Sequence, residues 1–173
     1  MAQTIRYMSK AVGVTPAADD AAATLQPLQG SVPALTHQGA GVPINSCSDI
    51  TLAAATDPLA TNDMYVAGCV PKGHKLIDAR IVAGDIDSGT TLVMSAGLLK
   101  KDFTDLEAAG SNVITTSSVG QAGGVARADT AAGLQQAVSD YDTWYGIKIT
   151  TGATGLNPGA KLTMCLIYVP DGN

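Results

Sequence analysis

The stretch Ile77-Asp78-Ala79-Arg80-Ile81-Val82-Ala83 carries the clearest structural signal in the chain. Ile77, Ala79, Ile81 and Ala83 fall on one face and Asp78 and Arg80 on the other, the period of two that marks a half-buried β-strand. The cluster Gly84-Asp85-Ile86-Asp87-Ser88-Gly89 ends it. Thr90 to Ala96 then returns with Leu92, Met94 and Ala96 inward, which predicts a hairpin. Toward the N-terminus, Met64, Val66, Gly68 and Val70 alternate with Tyr65, Ala67 and Cys69 ahead of the turn Pro71-Lys72-Gly73. Ile50, Leu52 and Ala54 make a shorter strand that Asp57-Pro58 closes. Toward the C-terminus, Gly97 to Leu106 reads as a connection and Val113 to Thr116 as a strand. Residues 117 to 140 are rich in Gly and Ala, with a short helix expected within Asp129 to Val138. Tyr145, Ile147 and Ile149 alternate with Gly146, Lys148 and Thr150. In the last strand Leu162, Met164, Leu166 and Tyr168 alternate with Lys161, Thr163, Cys165 and Ile167. Both faces become apolar there, which places that strand centrally in a sheet. Many short strands with almost no helix predict an all-β fold, an antiparallel β-sandwich. Its expected core is Ile77, Ile81, Leu92, Met94, Ile147, Ile149, Leu162, Met164 and Leu166.

Composition agrees with this class. The 173 residues suffice for one domain with a sizeable core. Charged residues make up only 14%, and Glu107 is the one glutamate beside fourteen aspartates. Glu, Lys and Arg normally fill exposed helix faces, so their scarcity argues against a helical protein. The net charge of −5 is the wrong sign for Coulombic capture of phosphates, so no direct nucleic-acid partner is expected. The longest apolar runs, such as Met164 to Val169, are far shorter than a membrane span, and no membrane partner is expected either. Met1 to Lys10 hold no apolar stretch of signal-peptide length. Cys47, Cys69 and Cys165 are therefore expected as reduced thiols, with a Cys47–Cys69 disulfide as the alternative.

The chain divides near residue 45. Residues 1 to 45 carry four charges that cancel, Arg6, Lys10, Asp19 and Asp20, and four prolines, Pro16, Pro27, Pro33 and Pro43. The last three forbid a long helix or a central strand. Yet Ile5, Tyr7, Met8, Val12, Val14, Leu25 and Leu28 are apolar, and a segment with so little charge does not stay solvated as a polar tail does. The physical reading is an extended N-terminal arm, 1–45, that buries apolar side chains on another surface, followed by a β-sandwich domain, 46–173. Its expected contact residues are Ile5, Arg6, Tyr7, Met8, Val12, Val14, Leu25 and Leu28. The alternative is that the arm folds back and covers an edge of its own sheet.

No catalytic constellation emerges. His37 and His74 have no Cys or carboxylate at metal-ligand spacing and read as surface imidazoles. No Gly-x-Ser-x-Gly elbow occurs, and Cys69 lies in an apolar strand that raises a thiol pKa and leaves it inert. Gly120-Gln121-Ala122-Gly123-Gly124 lacks the Lys of a phosphate loop. Asp85-Ile86-Asp87-Ser88-Gly89 opens like a calcium loop but lacks the later acidic ligand. No cofactor, metal or catalytic residue is therefore assigned, and the chain is not expected to be an enzyme. Tyr141, Trp144 and Tyr145 stand within five residues. They suit either a stacking platform for sugar rings or, for Trp144, an anchor at the core edge or at a subunit contact.

Val70-Pro71-Lys72-Gly73-His74-Lys75-Leu76-Ile77-Asp78-Ala79-Arg80, Asp85-Ile86-Asp87-Ser88-Gly89-Thr90-Thr91-Leu92 and Gly97-Leu98-Leu99, with the closing strands Tyr145 to Thr150 and Ala160 to Tyr168, resemble small virion proteins of tailed bacteriophages. The resemblance covers residues 64 to 169 and implies a jelly-roll-like β-sandwich. It also implies a place on the capsid exterior as a decoration or cement protein, or a role as another head or tail component; a protein made in the host cytoplasm with the major capsid protein as partner is expected. A homo-oligomer is expected, a trimer before a dimer, because a trimer suits local three-fold positions of a shell. The other function class is a receptor- or carbohydrate-binding module of a head fibre or tail.

Overall fold

The computed structural model describes residues 43–51, 59–108 and 111–171, together with the backbone of 5–8. Among the described residues nine strands are formed: β1 (Ile5–Met8), β2 (Ile44–Thr51), β3 (Met64–Val70), β4 (His74–Ala83), β5 (Val93–Leu98), β6 (Asn112–Ser117), β7 (Gly124–Arg127), β8 (Thr143–Thr151) and β9 (Lys161–Pro170). One sheet has the order β1-β3-β8-β5-β6 and the other β2-β9-β4-β7. The fold is an all-β sandwich. Antiparallel pairs nest inside one another, β5 with β6, β4 with β7, β3 with β8 and β2 with β9. A long ribbon rolled in this way is a jelly roll. Strand β1 is the exception, since it pairs parallel to β3, with Tyr7 opposite Tyr65 and Met8 opposite Val66.

The alternation seen in the sequence fills the space between the sheets. Ile81, Leu92, Met94, Ile147, Ile149, Leu162, Met164 and Leu166 are all buried in one cluster. Each such side chain contributes roughly 1.5–3 kcal/mol of transfer free energy. Strand β9 lies between β2 and β4, so the expected central position holds. Ile77 departs from the expected core and is exposed. The ladder between β4 and β9 slips between Leu76 and Asp78, so Leu76 and Ala79 point inward and Ile77 is turned out.

The expected hairpin around Asp85–Gly89 is not formed. Strands β4 and β5 belong to different sheets, and residues 84–92 cross from one to the other. Asp87, fully buried, organises the crossing. Its Oδ1 accepts from the Gly89 amide at 3.0 Å and the Thr154 amide at 3.2 Å, and its Oδ2 from the amides of Thr91 and Leu92 at 2.9 Å each. The carboxylate thereby ties the crossover to the loop before β9.

The expected helix shrinks to α1 (Ala131–Leu134), capped by Thr130. Gly133 is required there, because a Cβ would run into the Asn112 carbonyl of β6. Residues 124–127, expected as loop, form an edge strand instead, since β4 offers an unpaired edge beside them.

Gly146 sits in the middle of β8, opposite Val66 on one side and Gly97 on the other. A Cβ there would lie 2.6 Å from the Tyr65 carbonyl oxygen and 2.9 Å from Leu99 Cδ2. A backbone atom cannot step aside as a side-chain tip can. Gly146→Ala is expected to cost about 2 kcal/mol, read as a lower denaturant midpoint at unchanged m-value.

Strand β3 is buried on both faces. Tyr65 and Ala67 join the central core, while Met64 and Val66 meet Leu99 and Leu106 in a second, smaller cluster. The segment 99–107 therefore lies over the outer face of the first sheet. That overlay builds a surface groove.

Candidate functional site

The overlay begins where β5 ends. Leu99 N–H donates to the Trp144 carbonyl at 2.8 Å and Glu107 N–H to the Leu98 carbonyl at 2.8 Å, so both ends of the segment are fastened. Lys148 Nζ donates to Asp105 Oδ1 at 2.7 Å. Burial pushes the Asp105 carboxyl up, but the hydrogen-bonded Lys148 ammonium and the Leu106 amide outweigh it and hold the group below its ordinary range. Phe103 occupies the left-handed region at φ 58°, uncommon for a residue with a side chain. Its ring meets Trp144 edge to face at 5.9 Å. Both rings are half-buried against the smaller cluster.

On the far side of the groove stands Tyr141, 57% exposed. Lys101 Nζ lies 5.0 Å from the centre of its ring, within cation–π reach. Asp142 Oδ1 accepts from the Lys72 amide at 2.9 Å, which fixes the approach to β8. The cavity between these walls is about 240 Å³ and is also lined by Lys100 and Glu107.

Of the aromatic triplet singled out in the sequence, Tyr141 and Trp144 come together here and Tyr145 does not. The alternation of β8 sends Tyr145 into the central core, where burial pushes its hydroxyl up to about 12. Phe103, Lys100, Lys101 and Glu107 are lining residues that sequence reasoning missed. The signal available was composition: the chain has one Trp and one Phe, and both lie at this groove.

Of the expected arm contacts, Ile5, Arg6, Tyr7 and Met8 have their backbone in β1, while Val12, Val14, Leu25 and Leu28 lie outside the described residues. His74 is not a plain surface imidazole. It packs edge to face on Tyr168 at 5.5 Å, with Nδ1 3.0 Å from the Lys72 carbonyl. His37 lies outside the described residues.

Cys69 is unpaired, and burial, aided by the Asp142 carboxylate, pushes its thiol up to about 12. That agrees with the inert thiol expected there. The other two cysteines correct the sequence reading: Cys47 and Cys165 form a disulfide. They stand directly opposite each other in the β2–β9 ladder, whereas Cys69 belongs to the other sheet. Among the described residues no group of three or more His, Cys, Asp or Glu is placed to hold a metal ion. In the calcium-like stretch, amide donors already occupy both Asp87 oxygens. No helix among the described residues is long and apolar enough to cross a membrane.

No protein-family model and no curated protein matches the chain. Among solved structures, a chain from the capsid of Ralstonia phage GP4 matches with a TM-score of 0.64 and 26% identity, covering 75% of this chain and 84% of that one. A chain of the cyanophage Pam1 capsid asymmetric unit matches with a TM-score of 0.55 and 21% identity, covering 90% and 100%. The second likeness concerns the fold alone. Over three quarters of its length this jelly roll is therefore similar to a chain of a phage capsid.

Proposed function

We propose that the chain is a non-enzymatic virion protein that decorates the outer face of a phage capsid, binds the major capsid protein across subunit seams and holds the shell together. The observation that carries the reading is the jelly roll shared, at 26% identity, with a chain of the Ralstonia phage GP4 capsid. Physical chemistry supports it. A shell filled with DNA is pressed outward, and apolar area buried across a seam opposes separation at roughly 25 cal/mol per Å². Small contacts repeated over many copies add by avidity. A homo-oligomer, a trimer first, matches the symmetry of such sites.

Attachment falls to the arm, residues 1 to 45, with Val12, Val14, Leu25 and Leu28 as apolar anchors and Arg6 as a flanking charge worth little if exposed. Ile5, Tyr7 and Met8 have a second task, since β1 covers the edge of β3 that would otherwise offer unpaired amides. The two roles separate by experiment. Replacing Val12, Val14, Leu25 and Leu28 by Ser is expected to leave the melting temperature unchanged and to weaken binding to capsids lacking the chain by at least about tenfold, a loss of roughly 1.4 kcal/mol. Deleting residues 1–8 is expected to lower the melting temperature. Full capsid binding by the fourfold Ser variant would overturn the anchor assignment. Failure of the intact protein to bind such capsids at all would overturn the decoration reading.

A further inference from the structure

We propose that the groove between residues 99–107 and the start of β8 binds one sugar ring of a neutral glycan, with Tyr141 and Trp144 as the stacking surface. This goes beyond a decoration role and does not depend on it. The groove is about 240 Å³, below the range of roughly 300–1,000 Å³ for drug-sized ligands, so it suits a single ring.

Its chemistry is that of a hydroxylated ring. A pyranose presents C–H groups on one face and hydroxyls around its rim. The C–H face packs on an aromatic ring, and the hydroxyls both donate and accept. Tyr141 and Trp144 supply the rings, Lys100 and Lys101 the donors, and Glu107 and Asp142 the acceptors. Two positive and two negative charges balance, which disfavours a phosphate or another strongly charged ligand.

The site is also prepared before any ligand arrives. The Asp105–Lys148 ion pair, the two backbone bonds at the ends of the loop and the Phe103 ring hold Trp144 in place. Phe103 adopts positive φ to do so, a conformation that persists only where surrounding contacts impose it. Cover for the smaller cluster explains Phe103 and Trp144. It does not explain Tyr141, which stands 57% exposed with Lys101 against its ring. A chain with 4% aromatic residues has placed its only Trp, its only Phe and its most exposed described Tyr around one groove.

The single tryptophan makes the test direct. The full chain is titrated with maltose, cellobiose, lactose and diacetylchitobiose, and binding is read by Trp144 fluorescence and by saturation-transfer NMR on the sugar. At least one of these is expected to bind saturably with a Kd of about 1 mM. Tyr141→Ala is expected to weaken that binding at least about tenfold and Glu107→Gln about threefold to fivefold, with circular dichroism unchanged. Lys75→Ala, on the opposite sheet, is expected to bind as the parent does. No saturable response to any of the four up to about 100 mM, a hundred times that Kd, would overturn the proposal. So would equal binding by Tyr141→Ala. If instead Tyr141→Ala loses capsid binding while no sugar moves the fluorescence, the groove is a protein contact and the glycan assignment falls.

Discussion

Asp87→Ala is expected to destabilise the protein by about 3–5 kcal/mol, enough to unfold a domain of ordinary stability under mild denaturant. The magnitude follows from what the carboxylate holds. Removing it leaves the amides of Gly89, Thr91, Leu92 and Thr154 without their acceptor, that of Leu92 buried and the other three partly buried. Each buried donor left unmade costs roughly 1–3 kcal/mol, and local relaxation recovers part of the sum. Asp85→Ala, two residues earlier and exposed, is expected to stay within about 0.5 kcal/mol of the parent. Equilibrium denaturation of the two variants decides the matter, and equal midpoints would show that Asp87 is no support.

The same residue sets an acid limit. Burial pushes the Asp87 carboxyl up, but the amides of Gly89, Leu92, Thr91 and Gly155 together outweigh it, so the group is held well below its ordinary value. A folded-state pKa below the unfolded one contributes stability that is fully present above the unfolded value. It is lost as pH falls below about 4 toward the folded value. The parent is expected to lose stability steeply below pH 4, and Asp87→Asn to show a shallower slope there.

Breaking the Cys47–Cys165 disulfide is expected to cost about 2–4 kcal/mol. The bond spans 118 residues, so its loss returns a large loop entropy to the unfolded chain. It also staples β2, the strand that follows the arm, to the centre of its sheet. Thermal melts of Cys47→Ser and of the oxidised parent, each with and without reductant, separate the effect of the bond from that of the substitution. Reductant is expected to lower the melting temperature of the parent and leave that of Cys47→Ser unchanged. Equal melts for parent and variant without reductant would mean the bond contributes nothing.

The fold class lay in side-chain period and composition. Strict alternation in Tyr145 to Thr150 and Leu162 to Tyr168 placed Ile147, Ile149, Leu162, Met164 and Leu166 in the core, because a strand facing a core on one side must alternate. Doubled apolarity in the last strand marked it as central for the same reason. Long-range partnership was not legible. Cys47 meets Cys165 only because β2 and β9 pair in one register, and nothing near either cysteine states that register. Asp85–Gly89 reads as a hairpin turn from its own residues. It becomes a crossover because Asp87 bonds to Thr154, 67 residues away. Ile77 left the core through a one-residue slip that its strand's own pattern conceals. The groove depended most on tertiary structure. The path of residues 99–107 over Met64 and Val66 brought Phe103 and Lys101 to Trp144 and Tyr141, and the pleat of β8 turned Tyr145 away. Periodicity is a property of neighbours along the chain, whereas register and overlay are settled by free energies summed across contacts between distant segments.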